Sequence, residues 1–428
     1  MLNKVKNLAN TQEKKRLLSN FLSLAILQGA NYILPLLTLP YLVRVLGVEY
    51  FGILSFATAM IVYFNVLVDY GFNLTATREI SIHRNNKEKV IEIFSSVMSI
   101  KFILLVISFI LLILLVFNVQ KFSQHADIYI YTFGTVIGQM LFPVWFFQGM
   151  EKMKYITYLN IVSKLFFTIA IFIFVQEQSD FYIVPIVTSI GFIVAGILAL
   201  IVIYRDFGIT FTLQKVSTLK IYLYDGWHLF SSGLFTMFYV NSPIVILGLF
   251  TNNTVVGYYT LADKVVKIVS SIFTPVQDAL YPYIVKKLER SKQNTLDILR
   301  RLLLYSSTIM FIVSVFIFLC AEYIIVLISG EKIEEAVEIL RILAFFPFII
   351  TIARIYATNY IITFKLEKYL PKVYAQTAVV SAFIFAFLIP LYEGIGAALA
   401  IMLIEAFATL YMYFIVKQKI TLTKENNE

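Results

Sequence analysis

TVVGYYTLADKVVK (Thr254–Lys267) lies inside an apolar run that continues to about Leu280, and it reads as a membrane-crossing helix. Asp263, Lys264 and Lys267 nevertheless sit at or near its middle. A single Lys or Asp at the centre of a bilayer costs about 2.5–3.5 kcal/mol on insertion scales. Three such groups on one span cannot all face lipid tails. They must look into a protein interior or a wet cavity, and the rest of the chain reads as the wall of that cavity. Asp263 and Lys267, spaced i and i+4, fall on one helix face and can pair. Lys264, about 100° round the helix, has no such local partner, and Lys264 and Lys267 are expected to face a central cavity.

Composition agrees with a membrane setting. Of the 428 residues, 60% are hydrophobic and 14% charged, with a mean hydropathy of +0.83. Soluble domains carry about 45–50% apolar and about 25% charged residues. Twelve apolar runs are long enough to cross a hydrocarbon core of about 30 Å. Their approximate limits are 17–43, 51–73, 93–118, 128–149, 155–176, 181–204, 226–249, 255–280, 302–321, 336–363, 371–391 and 396–416. None shows the ten-residue alternation of a membrane β-barrel, so the fold class is an all-α integral membrane protein.

Basic residues then set the orientation. Of the 35 lysines and arginines, 26 fall in the two terminal segments or the loops after even-numbered spans, while the opposite loops hold Lys121 and Lys332. Both termini are therefore expected to be cytoplasmic. The first apolar run is longer than a signal-peptide core and lacks a small-residue cleavage site, which predicts an uncleaved first span. The net charge of +9 is spent on this asymmetry, so it does not argue for nucleic acid.

The longest polar connection, 205–225, divides the chain into six spans on each side, giving expected lobes of 1–210 and 211–428. Sliding one half on the other by 205 residues aligns FGILSFA (Phe51–Ala57) with VGYYTLA (Val256–Ala262) and matches Gly52 to Gly257. Six spans per half leave both halves in the same orientation, a parallel repeat about an axis along the membrane normal. Opposite the charged trio the first half has Thr58, Ala59 and Val62. The fold therefore tolerates neutral groups there, and the charges have another purpose.

Other polar groups within spans complete the candidate site. Lys164 lies near mid-membrane, too deep to snorkel easily. Arg341 and Arg354 share one span with Pro347 between them, a kink point. Arg341 is near enough to the outer end to snorkel, whereas Arg354 has the polar neighbours Thr351, Thr358 and Asn359. Glu405, central in the last span, reads as a salt-bridge partner for one of these cations or as a titrating carboxylate, the former favoured. Gln28, Asn31, Asn241 and Ser242 add uncharged polarity, and Pro35, Pro40 and Pro243 are further expected kinks. Asp69 and Asp278 lie near cytoplasmic ends, where solvation is cheap. Tyr239, Tyr258 and Tyr259 can stack on sugar rings, although interfacial or packing roles are commoner for tyrosine in membranes.

Several chemistries are excluded or disfavoured. One cysteine, Cys320, allows no disulfide framework within the chain, and His83, His125 and His228 are far apart, which argues against a metal centre. No H-E-x-x-H, G-x-x-x-x-G-K-[ST] or G-x-S-x-G motif is present. The chain is expected to be no enzyme, to need no cofactor, and to move its cargo downhill or by coupling to an ion gradient.

PYLVRVLGVEYFGILSFA (Pro40–Ala57), WFFQGMEKMKYI (Trp145–Ile156) and VVGYYTLADKVVK (Val255–Lys267) resemble the polysaccharide-transport branch of the multidrug/oligosaccharidyl-lipid/polysaccharide exporter superfamily. The nearest likeness is to O-antigen or capsular repeat-unit flippases of the Wzx type. It runs over essentially the whole chain and is most distinctive at Trp145–Ile156. The resemblance implies twelve helices in two six-helix lobes around a cationic cavity, in a bacterial cytoplasmic membrane. It also implies that undecaprenyl-pyrophosphate-linked oligosaccharide is carried to the outer leaflet, with membrane lipids and glycan polymerase or assembly proteins as partners. It carries over a basic cavity and no particular cation; Lys264, Lys267, Lys164 and Arg354 come from their own positions. The alternatives are an ion-coupled multidrug exporter of the same superfamily, which would favour acidic cavity groups, and a membrane-embedded glycan polymerase, which would carry a larger outer loop. A lipid II flippase would have two further helices.

Overall fold

The computed structural model describes the backbone of residues 12–421 and side chains from 27 to 420, except at 32, 232, 275, 276, 278, 279 and 282. All regular structure among the described residues is helical. Among the described residues, eight helices are long and apolar enough to cross a membrane, or nine when a bent pair is counted as one span. That pair, Val216–Val240 and Ser242–Phe250, bends by 53° just ahead of Pro243, at the kink expected there.

Two of the eight are too long for one crossing. Leu27–His83 has 57 residues, about 85 Å of helix at 1.5 Å per residue, and it is interrupted at Gly47 (φ 76°, ψ 166°). Glu367–Ile420 has 54 residues and is interrupted at Glu393 (φ 47°, ψ −122°). Pro35 and Pro40 lie inside the helical run, whose non-helical residue is Gly47. A positive φ with extended ψ is open to glycine alone without strain. In membranes a helix also tolerates proline where neighbours satisfy its freed backbone groups.

The stretch around Lys264 forms a helix of its own, Asn253–Ile272, 20 residues long and hence about 30 Å. It starts where the Asn252 side chain accepts a hydrogen bond from the Val255 amide at 2.9 Å. A second helix, Thr274–Leu288, follows with Pro275 in its first turn.

The chain forms two compact units, one of Met1–Leu46 with Ala57–Leu234, the other of Gly47–Phe56 with Phe235–Glu428. In the first, the Ala126–Leu141 and Ile183–Phe207 helices cross through small residues. A Cβ on Gly138 would lie 2.5 Å from Phe192, and one on Gly196 would lie 2.8 Å from the Gly138 carbonyl. Ser189 donates across this seam to the Tyr131 carbonyl at 2.6 Å. Close backbone approach through Gly and Ser is how helices associate without a hydrophobic driving force between them. The Lys87–Asn118 helix exposes a stripe of Ile103, Val106, Ile110, Leu114 and Phe117, spaced as one helix face and suited to lipid.

The Trp145–Ile156 segment is an architectural knot. Trp145, Phe146 and Phe147 are fully buried, in ring contact with Phe94 and Phe207, while Thr77 donates to the Trp145 carbonyl at 3.2 Å. The chain then turns through Glu151 (φ 55°), whose carboxylate meets Arg84 at 2.8 Å. Thr77→Val keeps the shape and removes the hydroxyl. We expect it to cost about 0.6 kcal/mol, the average measured for hydrogen bonds between membrane helices, and at most about 1.7 kcal/mol, read in an unfolding titration in mixed micelles.

The linker region is fastened to this unit. The Thr212 amide donates to Ser95 Oγ at 3.0 Å and Tyr222 to Glu92 at 3.2 Å.

In the second unit, Asn253–Ile272 packs against Ser242–Phe250, Glu334–Leu343, Phe346–Arg354 and Leu370–Val416. Val256, Tyr259, Leu261, Ala262 and Val266 are buried there. The helical run carrying the two arginines breaks at Ala344–Phe345, just ahead of Pro347, as the sequence suggests, and ends in a π-helical stretch, Ile355–Ile362.

Candidate functional site: the charged helix Asn253–Ile272

One turn of this helix sorts its three charges. Asp263 is buried, and its Oδ2 lies 2.7 Å from Lys267 Nζ, with side-chain exposures of 7% and 40%. The i, i+4 pair therefore satisfies the carboxylate that would otherwise be costliest to bury. Lys264 is exposed and makes no ion pair within 4.0 Å among the described residues. Its ammonium instead sits 5.0 Å from the centroid of the Phe51 ring, within the range of a cation–π contact. A ring face holds a cation without neutralising it. Asp263 acts on Lys264 electrostatically without forming an ion pair, whereas it pairs directly with Lys267, so the Lys264 charge is the less neutralised of the two.

Glu405 is buried on the Leu370–Val416 helix. The expected salt bridge is not there: no ion pair reaches it among the described residues, and Lys267 is the cation close enough to act on it electrostatically. Tyr239 and Tyr374 are its other electrostatic neighbours, and their rings stack at 6.4 Å between centroids. The physical reason is competition: Lys267 has a nearer carboxylate one turn away on its own helix.

The remaining candidates separate by position. Arg354 donates from Nη1 to Thr274 Oγ1, and Arg341 is exposed on Glu334–Leu343. Asn241 stands just ahead of the Ser242–Phe250 helix and donates to Met237 Sδ at 3.2 Å. Tyr259 is fully buried in packing contacts and is not available for stacking on a sugar. In the first unit, Lys164 donates to Asn31 Oδ1, joining two candidates 133 residues apart in sequence. Gln28 is exposed. The Asp278 side chain lies outside the described residues, as do the terminal basic residues at 4, 6 and 424.

Sequence reasoning passed over two features. Lys101 and Asp69 form an ion pair at 3.4 Å, the lysine side chain 4% exposed and the aspartate 31%. Both were visible as charges within spans, but nothing local marks them as partners. Phe51 is the other, and its signal was the aligned FGILSFA motif. No group of His, Cys, Asp and Glu with metal-holding geometry occurs among the described residues.

Residues 17–288 match the model of a family described as polysaccharide biosynthesis protein. A protein named as an O-antigen transporter in Escherichia coli (strain K12) is 33% identical over 404 residues, covering 94% of this chain and 97% of its own. One of the same name in Shigella dysenteriae is 26% identical, covering 93% and 99%. Among solved structures, the lipid II flippase MurJ in an inward closed conformation superposes with a TM-score of 0.68 at 16% identity, covering 92% of this chain and 87% of its own. An inward-facing multidrug resistance transporter of the MATE family, from the MOP superfamily, gives 0.65 at 13% identity, covering 93% and 100%. At those identities the structural likeness is one of fold.

Proposed function

The chain belongs to the polysaccharide biosynthesis protein family, as a Wzx-type membrane transporter of the MOP superfamily, and from that premise we propose that it carries undecaprenyl-pyrophosphate-linked oligosaccharide from the inner to the outer leaflet. The observation that carries this reading is the Lys264 ammonium, held on an aromatic face and paired to no described carboxylate. A diphosphate linkage is polyanionic and cannot cross hydrocarbon unaided. A lysine in a medium less polar than water attracts it strongly, and does so whatever sugars follow.

The same reading supplies the topology. The two interrupted runs each cross twice, the bent pair crosses once, and Asn253–Ile272 with its continuation crosses once. With the six remaining spans that makes twelve, in lobes near 1–210 and 211–428, and both termini fall in the cytoplasm of a bacterial inner membrane. Lys264 and Lys267, with Lys164, Arg354 and Arg341, form the cationic lining; Asp263, Glu405, Gln28, Asn31 and Asn241 supply its polar groups. Access alternates between the two sides, and the lipid tail stays in the bilayer. Glycan polymerase or assembly proteins receive the product. A multidrug exporter of cations is disfavoured because the least neutralised charge on the central helix is positive.

The test is the fate of the glycan in cells lacking the chain. Lipid-linked repeat units are expected to accumulate on the cytoplasmic face. Single units accumulating on the outer face would show that the missing step is polymerisation, and would overturn the transport reading.

A further inference from the structure

An anion-binding site gains no affinity from a carboxylate, since like charges repel, yet Asp263 stands in the middle of this one. Its Oδ2 lies 2.7 Å from Lys267 Nζ, and it acts electrostatically on Lys264 as well, so one negative charge serves both lysines. Packing does not call for it. Adding the repeat offset of 205 to Thr58, Ala59 and Val62 gives Asp263, Lys264 and Lys267, and the matched stretch carries no charge at any of the three positions. Nor does the pair serve to hide the lysine: Asp263 is the buried partner, at 7% exposure, while Lys267 is 40% exposed.

The two partners also differ in freedom. Asp263 shares the buried face of Asn253–Ile272 with Val256, Tyr259 and Val266, and its short side chain keeps it there. Lys267 carries its charge on a flexible four-carbon stem, so the ammonium can leave Asp263 while the helix stays still. Lys264 and Lys267, three residues apart, are neighbours on the helix surface, with about 5–6 Å between Cβ atoms, a spacing that two linked phosphates can bridge. We propose that Asp263 is a positioning residue, a built-in competitor that holds Lys267 until the diphosphate of the cargo displaces it. The proposal rests on the transport reading for the identity of the anion. Lys264 makes the first contact, and Lys267 then exchanges Asp263 for the second phosphate. After the exchange Asp263 is left alone in the interior, where an uncompensated carboxylate is costly. That cost pulls Lys267 back and drives release, so the pair sets how long the cargo stays.

The sign of the effect makes the test specific. Asp263→Asn keeps the shape and removes the charge. Low-salt binding of inorganic pyrophosphate to the purified protein is expected to tighten about tenfold, equivalent to about 1.4 kcal/mol. Most of that change should lie in the dissociation rate. In vesicles the same variant is expected to lower KM and kcat together for the diphosphate-linked cargo, because release becomes the slow step. Tighter binding with an unchanged kcat overturns the claim that the pair drives release. Asp263→Glu restores the charge and is expected to return binding toward the wild-type affinity. If it tightens binding as Asp263→Asn does, shape and not charge is responsible, and the competitor falls. Asp263→Ser removes the same charge and takes the place of Asp263→Asn should that variant fail to fold.

Lys267→Ala separates exchange from a general field. With that lysine gone Asp263 has nothing to withhold. Adding Asp263→Asn to Lys267→Ala is therefore expected to tighten pyrophosphate binding far less than it does in wild type, a coupling read from the double-mutant cycle. Equal tightening in both backgrounds shows a field acting on Lys264 alone and overturns the exchange. Equal pyrophosphate binding by wild type and Asp263→Asn removes the competitor and leaves the transport reading standing. Binding by neither protein removes the anion reading, and the competitor with it.

Discussion

Lys264→Ala is expected to weaken low-salt binding of an undecaprenyl-pyrophosphate analogue by about 10- to 150-fold. A hydrogen bond to a charged group is worth about 1.5–3 kcal/mol, and each 1.4 kcal/mol is about tenfold in affinity. Lys264 is singled out because its ammonium lies on the Phe51 ring with no carboxylate among the described residues, while the Lys267 charge is shared with Asp263 at 2.7 Å. Lys267→Ala should therefore cost less than Lys264→Ala. Lys264→Arg, which keeps the charge, should retain most of the affinity. The loss should shrink as ionic strength rises, since exposed charges are screened beyond about 8 Å at physiological salt. Equal affinity in Lys264→Ala and wild type would remove the lysine from the site.

The second large effect concerns stability rather than cargo. Asp69→Ala leaves the buried Lys101 ammonium without its partner, and removing one member of a buried pair costs about 3–5 kcal/mol. Asp69 is itself partly exposed, so the lower end of that range is expected. Asp69→Ala with Lys101→Met should recover most of the loss, because apolar replacement of both partners is often neutral or better. Unfolding titrations in mixed micelles measure both. A single variant as stable as wild type would show that water reaches Lys101, and that the pair holds nothing together.

The two outcomes differ in how far the sequence foretells them. The Asp263–Lys267 pair, and the absence of a local partner for Lys264, follow from helical spacing alone, because i and i+4 fix both partners on one turn. The broken run around Pro347 and the bend at Pro243 follow from proline's missing donor. The all-helical membrane fold follows from run lengths, and the segment Trp145–Ile156 carries the family likeness. Its reason is now physical: three fully buried aromatic residues tie the ends of several helices of one unit.

What spacing does not reveal is contact across the chain. Lys164 meets Asn31, Lys101 meets Asp69, and Lys264 meets Phe51 over separations from 32 to 213 residues. No local pattern encodes such pairs. Of the two readings of Glu405, the salt bridge is not formed among the described residues for a related reason, because it needs a cation without a closer carboxylate, and Lys267 has one on its own helix. The turn at Gly47 carries no local signal beyond the glycine itself, and glycines occur in many helical settings. The internal repeat was the one long-range clue available. Its aligned glycines, Gly52 and Gly257, are residues at which the two matched helices touch.

Transfer between leaflets in vesicles tests the central claim most directly. Purified protein is placed in vesicles with a fluorescent oligosaccharide on undecaprenyl pyrophosphate, alongside the same oligosaccharide on an uncharged polyprenol, and arrival of each in the far leaflet is followed by quenching. The diphosphate-linked cargo is expected to cross quickly with wild type and slowly with Lys264→Ala, and the uncharged one to cross no faster than in vesicles without protein. Equal transfer of both cargoes, or undiminished transfer by Lys264→Ala, would contradict a mechanism built on an unneutralised lysine meeting an anionic linkage.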